Sequence, residues 1–152
     1  MKLFQIEEPE GGPTDPGAPG AAIGIDASGA AAEVAMSIGG NATILTDREG
    51  FESNLAVPAI GAAVAQWQEL FEAARLRAER ALARPVTHAV IAVAPEAYDS
   101  ANAATIAKSA QAADLLVLRL IAAIELAPGI EPALAAAMLA EDLAPRPALW
   151  TG

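Results

Sequence analysis

Asp26, Ser28 and Gly29 follow one another closely at the end of a short apolar run, in the stretch "GAAIGIDASGAAAEVAMSIGG" from Gly20 to Gly40. A carboxylate that closes a strand before a tight turn bearing a hydroxyl and a glycine is the beginning of a phosphate-holding hairpin. The carboxylate organises a cation, and the turn's N–H and O–H groups meet phosphate oxygens. Where further hydroxyls would be needed, the chain supplies Ala30, Ala31 and Ala32. Asp26 also has a simpler role open to it, because an Asp at a strand end can accept N–H bonds from its own turn. His88, the single histidine, sits inside an apolar stretch without a nucleophile or second base to work with. One histidine and no cysteine leave no basis for a His- or Cys-built zinc site.

Composition narrows the partners. The chain has 152 residues, enough for one domain with a real core. Apolar residues make up 54%, yet aromatics reach only 4% and about a quarter of the chain is alanine. Small side chains bury little area each, so close packing of helices and sheet is expected. Nine Lys and Arg against 19 Asp and Glu give a formal net charge of −10. That field repels nucleic acid and anionic membrane surfaces, while a basic protein partner would be compatible with it. No apolar run is long enough to span a bilayer. The opening "MKLFQIEEPEGG" lacks the apolar core of a secretory signal, so the expected location is the cytoplasm.

The elements that would position Asp26 are legible in outline. Residues 1–20 read as a flexible arm: Glu7 to Gly20 is rich in Pro, Gly and acid, and the apolar tip Leu3, Phe4 and Ile6 could add an edge strand or meet a partner. Ala22 to Asp26 is a strand. Val34, Met36 and Ile38 alternate in a second, and Gly39-Gly40-Asn41 turns the chain into a third from Ala42 to Thr46. Leu55 to Ile60 is an extended connector.

A helix from Gly61 to Ala83 carries Ile60, Val64, Trp67, Phe71, Ala74, Ala78 and Leu82 near one face, with Gln68, Glu72, Arg75 and Glu79 opposite. Trp67 and Phe71 belong to the core on this reading. Arg84-Pro85 stops the helix, and Val86 to Ala94 is a buried strand. Asp99 or Ser100 caps a helix bearing Ala103, Ile106, Ala110 and Ala113, which ends near Asp114. Leu115 to Leu120 is a further strand and Ala122 to Ala127 a short helical stretch. A last helix from Pro132, with Leu134, Met138, Leu139 and Leu143, ends at Pro145. The domain is thus 21–144, followed by a tail at 145–152. There, Leu149 and Trp150 can dock on the domain or anchor a partner. The sum is a mixed α/β unit whose strand order this reading does not supply.

Four stretches resemble the Hsp70 (DnaK-type) branch of the actin-like ATPase superfamily, and only its first lobe. "AIGIDASGAA" is similar to the opening strand and first phosphate loop, and "GGNATILTDREG" to the hairpin that follows. "VTHAVIAVAPEAYDSANAATIAKSAQAADLLVLRLI" runs nearly in step with the family's strand–helix–strand segment. "AAIELAPG" stands in the place of its Glu-Pro-Thr helix opening. The resemblance spans about Ala21 to Gly129 and implies an α/β fold with an RNase H-like mixed sheet and flanking helices.

The departures from that family shape the functional expectation. Asp26 matches the family's metal-organising carboxylate, but Ser28, Gly29 and Ala30 replace a glycine and two threonines. The catalytic glutamate would fall at or near Ala123, and Glu125, two residues on, would point elsewhere in a helix. A phosphate-contacting lysine segment between Gly50 and Gly61 has no counterpart. Only 23 residues follow Gly129 (152 minus 129), too few for a second lobe. Phosphoryl transfer needs positioned cations and phosphate ligands from both sides. RNase H-like folds also carry paired-metal nucleases, for which Asp26 and Glu96, with Asp99 nearby, are the available acids. The negative charge and the absence of a basic groove favour a polar loop at Glu96 and a helix cap at Asp99. The expectation is therefore no enzyme, no cofactor, no metal and no nucleotide. The chain would be an accessory or assembly subunit that binds other protein subunits of a larger complex; the alternative is half of a divided ATPase completed by a partner chain.

Overall fold

The computed structural model describes residues 20–46, 55–59 and 61–145. Among them are five strands: β1 (Ala21–Ala27), β2 (Glu33–Ile38), β3 (Asn41–Leu45), β4 (Val86–Val93) and β5 (Leu116–Ala122). Three α-helices accompany them: α1 (Val64–Leu82), α2 (Ser100–Ala112) and α3 (Pro132–Leu143). The sheet order is β3-β2-β1-β4-β5. β2 is antiparallel to β1 and to β3, while β4 runs parallel to both β1 and β5. This is the mixed sheet with flanking helices that was expected, with an RNase H-like strand order. The arm residues Leu3, Phe4 and Ile6, the connector residue Ile60, and Leu149 and Trp150 of the tail lie outside the described residues.

The hairpin follows from its turn. Gly39 and Gly40 have φ of 60° and 85°, the left-handed conformations that a two-residue loop requires, and Ile38 pairs with Asn41 across it. β1 and β4 are buried on both faces, as central strands between helical layers must be. On one face, Ile23, Ile25, Val34 and Ile91 meet Trp67, Phe71, Ala74 and Ala78 of α1 and Ile106 and Ala110 of α2. Trp67 and Phe71 stack with ring centroids 6.0 Å apart and are fully enclosed, which confirms them as core.

The polar stripe on α1 does not simply face solvent, as the helical spacing suggests. Arg75 Nε donates to Ala113 O at 2.9 Å and Arg75 Nη1 pairs with Glu79 at 3.1 Å. Glu79 in turn accepts from Val86 N at 2.9 Å. The stripe binds α1 to the end of α2 and to the start of β4, because those ends carry backbone groups that need partners.

Among the described residues α3 alone covers the opposite face, and it does so with a different set of residues from the bulky ones its sequence singles out. Ala133, Ala136, Ala137 and Ala140 are wholly buried against Ala22, Ala35 and Val90, whereas Leu134, Met138 and Leu139 flank this seam and Leu143 is exposed. The reason is Gly24. A β-carbon there would fall against Ala137 N, 2.6 Å from Ala136 C and 2.8 Å from Ala137 Cα. Only a residue without a side chain lets the helix backbone come this close to the strand. Farther along α3, Glu141 accepts from Ser37 Oγ at 2.8 Å and from the N–H groups of Gly39 and Gly40 at 2.5 and 3.0 Å, tying the helix to the β2–β3 turn.

β5 extends to Ala122, so the short helical stretch expected over Ala122 to Ala127 shrinks to a 3-10 turn at Ala123–Glu125. Replacing Gly24 by Ala should push α3 off β1 at a cost of about 3 kcal/mol, the upper range for overpacking, and lower the thermal midpoint by roughly 6–12 °C. Gly29→Ala is the control: a β-carbon there would meet nothing nearer than 4.0 Å, and its melt should match the wild type.

Candidate functional site at the carboxyl end of the sheet

Open α/β sheets bind ligands beyond the carboxyl ends of their strands, where neighbouring connections leave in different directions. Here that place lies after β1 and β4. Asp26, the penultimate residue of β1, is half-buried, and both its visible partners are local. Ser28 N donates to Asp26 Oδ1 at 3.0 Å, and Ser28 Oγ donates to the same oxygen at 2.5 Å. The turn thus closes on the carboxylate in the way Asp and Ser do at strand ends. The following residues turn back against the connector. Ala32 N donates to Leu55 O at 2.7 Å, Val57 N donates to Ala30 O at 2.9 Å, and Ala31 bridges Ala56.

Beside this turn is a cavity of about 220 Å³, bounded by Ala27, Ser28 and Gly29 on one side and Val57, Pro58 and Ala59 on the other. Trp67, Ala94 and Ala97 complete it. Among the described residues, Ser28 and Trp67 are its only side chains with a polar atom, the Ser28 hydroxyl proton is directed at Asp26, and no cationic side chain lines it. Asp26 itself is not part of the lining: it shares the strand face of Ala22 and Gly24, which is the α3 side. The pleat of β1 turns Asp26 toward α3 and its neighbour Ala27 toward the cavity, so the carboxylate stays beside its turn but outside the cavity lining.

The other acids are dispersed. Glu96 is exposed on a 3-10 turn, Pro95–Ala97. Asp99 caps α2, accepting from Asn102 N at 2.9 Å and from Asn102 Nδ2 at 3.1 Å, as its position before a helix suggests. Among the described residues no group of three His, Cys, Asp or Glu is arranged to hold a metal ion.

The position assigned to the helix-opening glutamate needs correction. Ala123 and Glu125 lie in the 3-10 turn after β5, and the helix opens at Pro132, with Glu131 at its N-cap. A Glu-Pro pair therefore does stand at the start of α3, beyond a loop that a count from β5 takes no account of. Its signal in the sequence was proline at the first helical position preceded by an acid. α3 runs antiparallel to β1, since Ala22 packs near Ala140 and Ala136, and Gly24 near Ala136 and Ala137. Two residues along a strand advance about 6.6 Å, or roughly four residues of helix. Asp26 thus lies at the level of Pro132, at the same end of the sheet as Glu131.

His88 is remote from all of this. It sits near the start of β4, opposite Ala22, with Thr87 Oγ1 2.7 Å from its Nδ1. Burial lowers its pKa below 6.5.

Comparisons with known proteins add a little. No family model matches the sequence, and no curated protein matches it. Among solved structures, the ethanolamine utilization protein EutJ from Carboxydothermus hydrogenoformans is similar at 18% identity and a TM-score of 0.47. The match covers 70% of this chain, which spans only 38% of the length of that one. No described helix is long and apolar enough to cross a membrane.

The His88 shift has a definite sign. The unfolded chain takes up the imidazole proton at a higher pH than the folded one does, so stability rises with pH through the window just below 6.5 and levels off above it. Melts of wild type and His88→Gln from pH 5 to 8 should diverge as the pH falls, with the variant losing less. Parallel curves would show that His88 is not a source of acid sensitivity.

Proposed function

We propose that this chain is a non-catalytic lobe related to the Hsp70 branch of the actin-like ATPases, acting in the cytoplasm as an accessory or assembly subunit that binds other protein subunits. One observation carries the reading. The carboxylate that would organise a nucleotide's cation is closed by its own turn, while the described lining of the adjoining cavity is largely apolar and uncharged. Phosphate transfer depends on charge placed to receive charge, and none of the described residues places any in this cavity. The family affiliation rests on the sequence stretches and on the sheet order.

A second reading is favoured by Glu131. An acid at the opening of α3, level with Asp26, is what half of a divided ATPase would retain if a partner chain supplied the remaining phosphate ligands. Titration calorimetry of the purified chain with Mg-ATP bears on the choice. The first reading expects no binding tighter than about 100 μM, roughly −5.5 kcal/mol; tighter binding would overturn it.

Asp26→Asn separates the two in the assembled state. If the site is inert, the variant loses local hydrogen bonding worth about 1 kcal/mol and captures the wild type's partners unchanged. If the site is live, a well-folded variant loses nucleotide turnover in the co-purified complex.

A further inference from the structure

At the amino end of the sheet, between the start of β4 and the end of α2, is a cavity of about 340 Å³ walled by Thr87, His88, Gln111, Asp114, Leu115 and Leu116. Three departures from regular geometry meet there. In the pairing of β1 with β4, Ala21 faces Val86 and Ala22 faces His88, so Thr87 is left over as a β-bulge. Successive side chains of a regular strand point to opposite faces. Here Thr87 and His88 both line the cavity, with Thr87 Oγ1 2.7 Å from His88 Nδ1. Gly20 makes room for the bulged residue, since a β-carbon at position 20 would stand 2.7 Å from Thr87 Cγ2 and 2.8 Å from Thr87 Oγ1.

The third departure is Asp114. α2 closes with Leu115 N donating to Ala110 O at 2.9 Å and Asp114 N donating to Gln111 O at 3.0 Å. This is a Schellman ending, whose left-handed position usually belongs to glycine, yet Asp114 holds it with φ 66°. A carboxylate also carries the wrong charge for the end of a helix. Helix termination alone therefore favours other residues at this position. Neither the Asp114 carboxylate nor the Gln111 side-chain amide has a hydrogen-bonding partner among the described residues.

We propose that this cavity binds a small primary ammonium ion bearing a short hydrocarbon chain. The site lies at the opposite end of the sheet from Asp26 and is independent of the reading given to that turn. Charge selects the class of ligand. Asp114 is the one formally charged residue of the described lining, and the partial negative charge at the end of α2 adds to it. Arg75 also reaches this helix end, at Ala113 O, but it does so from α1 and is paired with Glu79. Burial keeps the His88 imidazole neutral near pH 7. With Nδ1–H donated to Thr87 Oγ1, its Nε2 is an acceptor. A primary ammonium carries three N–H donors, and the wall offers it the Asp114 carboxylate, Gln111 Oε1 and His88 Nε2. Leu115 and the exposed Leu116 supply apolar surface for the hydrocarbon. A bare metal ion fits less well, because it would find only one imidazole and one carboxylate in the described lining and leave Leu116 uncovered.

His88 is the single histidine of the chain, so its ring C–H signals in a proton–carbon NMR spectrum report on this cavity alone. The test is titration of the full chain with n-butylammonium chloride near neutral pH, at ionic strength held constant with sodium chloride. Binding predicts a saturable displacement of the His88 signals in the millimolar range. Asp114→Asn keeps a residue that tolerates the left-handed conformation and should weaken binding about tenfold. Asp114→Gly, the usual residue at such a helix end, should do the same and provides a second well-folded variant. Absence of a saturable displacement in the wild type overturns the proposal whatever the variants do. Equal displacement by 1-butanol or by sodium butyrate also overturns it, because the cavity would then select for the hydrocarbon and not for the ammonium. Unchanged affinity in both variants overturns it as well, since Asp114 would then play no part.

Discussion

A glycine without a side chain sets the spacing of this protein. Because Gly24 lets the backbone of α3 rest on β1, the helix can present alanines instead of bulky residues to the sheet. Once that height is set, Glu141 falls within reach of the β2–β3 turn, and the start of α3 comes level with the end of β1. Backbone atoms of Ala136 and Ala137 occupy the space a side chain at position 24 would fill, so the seam rests on close small-residue contacts. The high alanine content of the sequence thus has a structural use, most directly at this one interface.

What could be read from the sequence divides along physical lines. Local chemistry was legible: the Gly39-Gly40 turn, the stop at Arg84-Pro85, the Asp99 cap and the Trp67–Phe71 core side of α1 all depend on residues near one another in the chain. Strand order was not legible from periodicity, because pairing partners such as Ala22 and His88 are far apart in sequence; only the resemblance supplied it. The buried face of α3 was not legible for a related reason. Leu134, Met138 and Leu139 rank above alanine by hydrophobicity, and the alanine stripe makes sense only once Gly24 is known to lie beneath it. The partners of the polar stripe of α1, Ala113 O and Val86 N, are backbone groups that leave no mark in residue type, so its contacts were not legible.

The site shows the same division. Asp26, Ser28 and Gly29 do come together, and the local bonding available to Asp26 is the bonding it has. Their relation to the cavity was hidden, since the pleat decides which side of β1 each residue occupies. Glu131 was missed because spacing along a chain cannot anticipate a loop of Ala127, Pro128 and Gly129 between a strand and its helix. At this end of the sheet Asp26 and the cavity beside its turn therefore lie on different sides of β1.

The two faces of the sheet are held by different kinds of contact, and temperature acts on them differently. Trp67, Phe71, Ile23, Ile25, Ile91 and Ile106 remove large apolar surfaces from water on the α1 and α2 side. Burial of that kind carries most of the heat-capacity change of unfolding and loses strength on cooling. The alanine seam of α3 buries little surface per residue and adds correspondingly little to that heat capacity. As the temperature falls, the layer with the larger side chains is the one that weakens, and the α3 layer takes a growing share of what keeps the sheet covered.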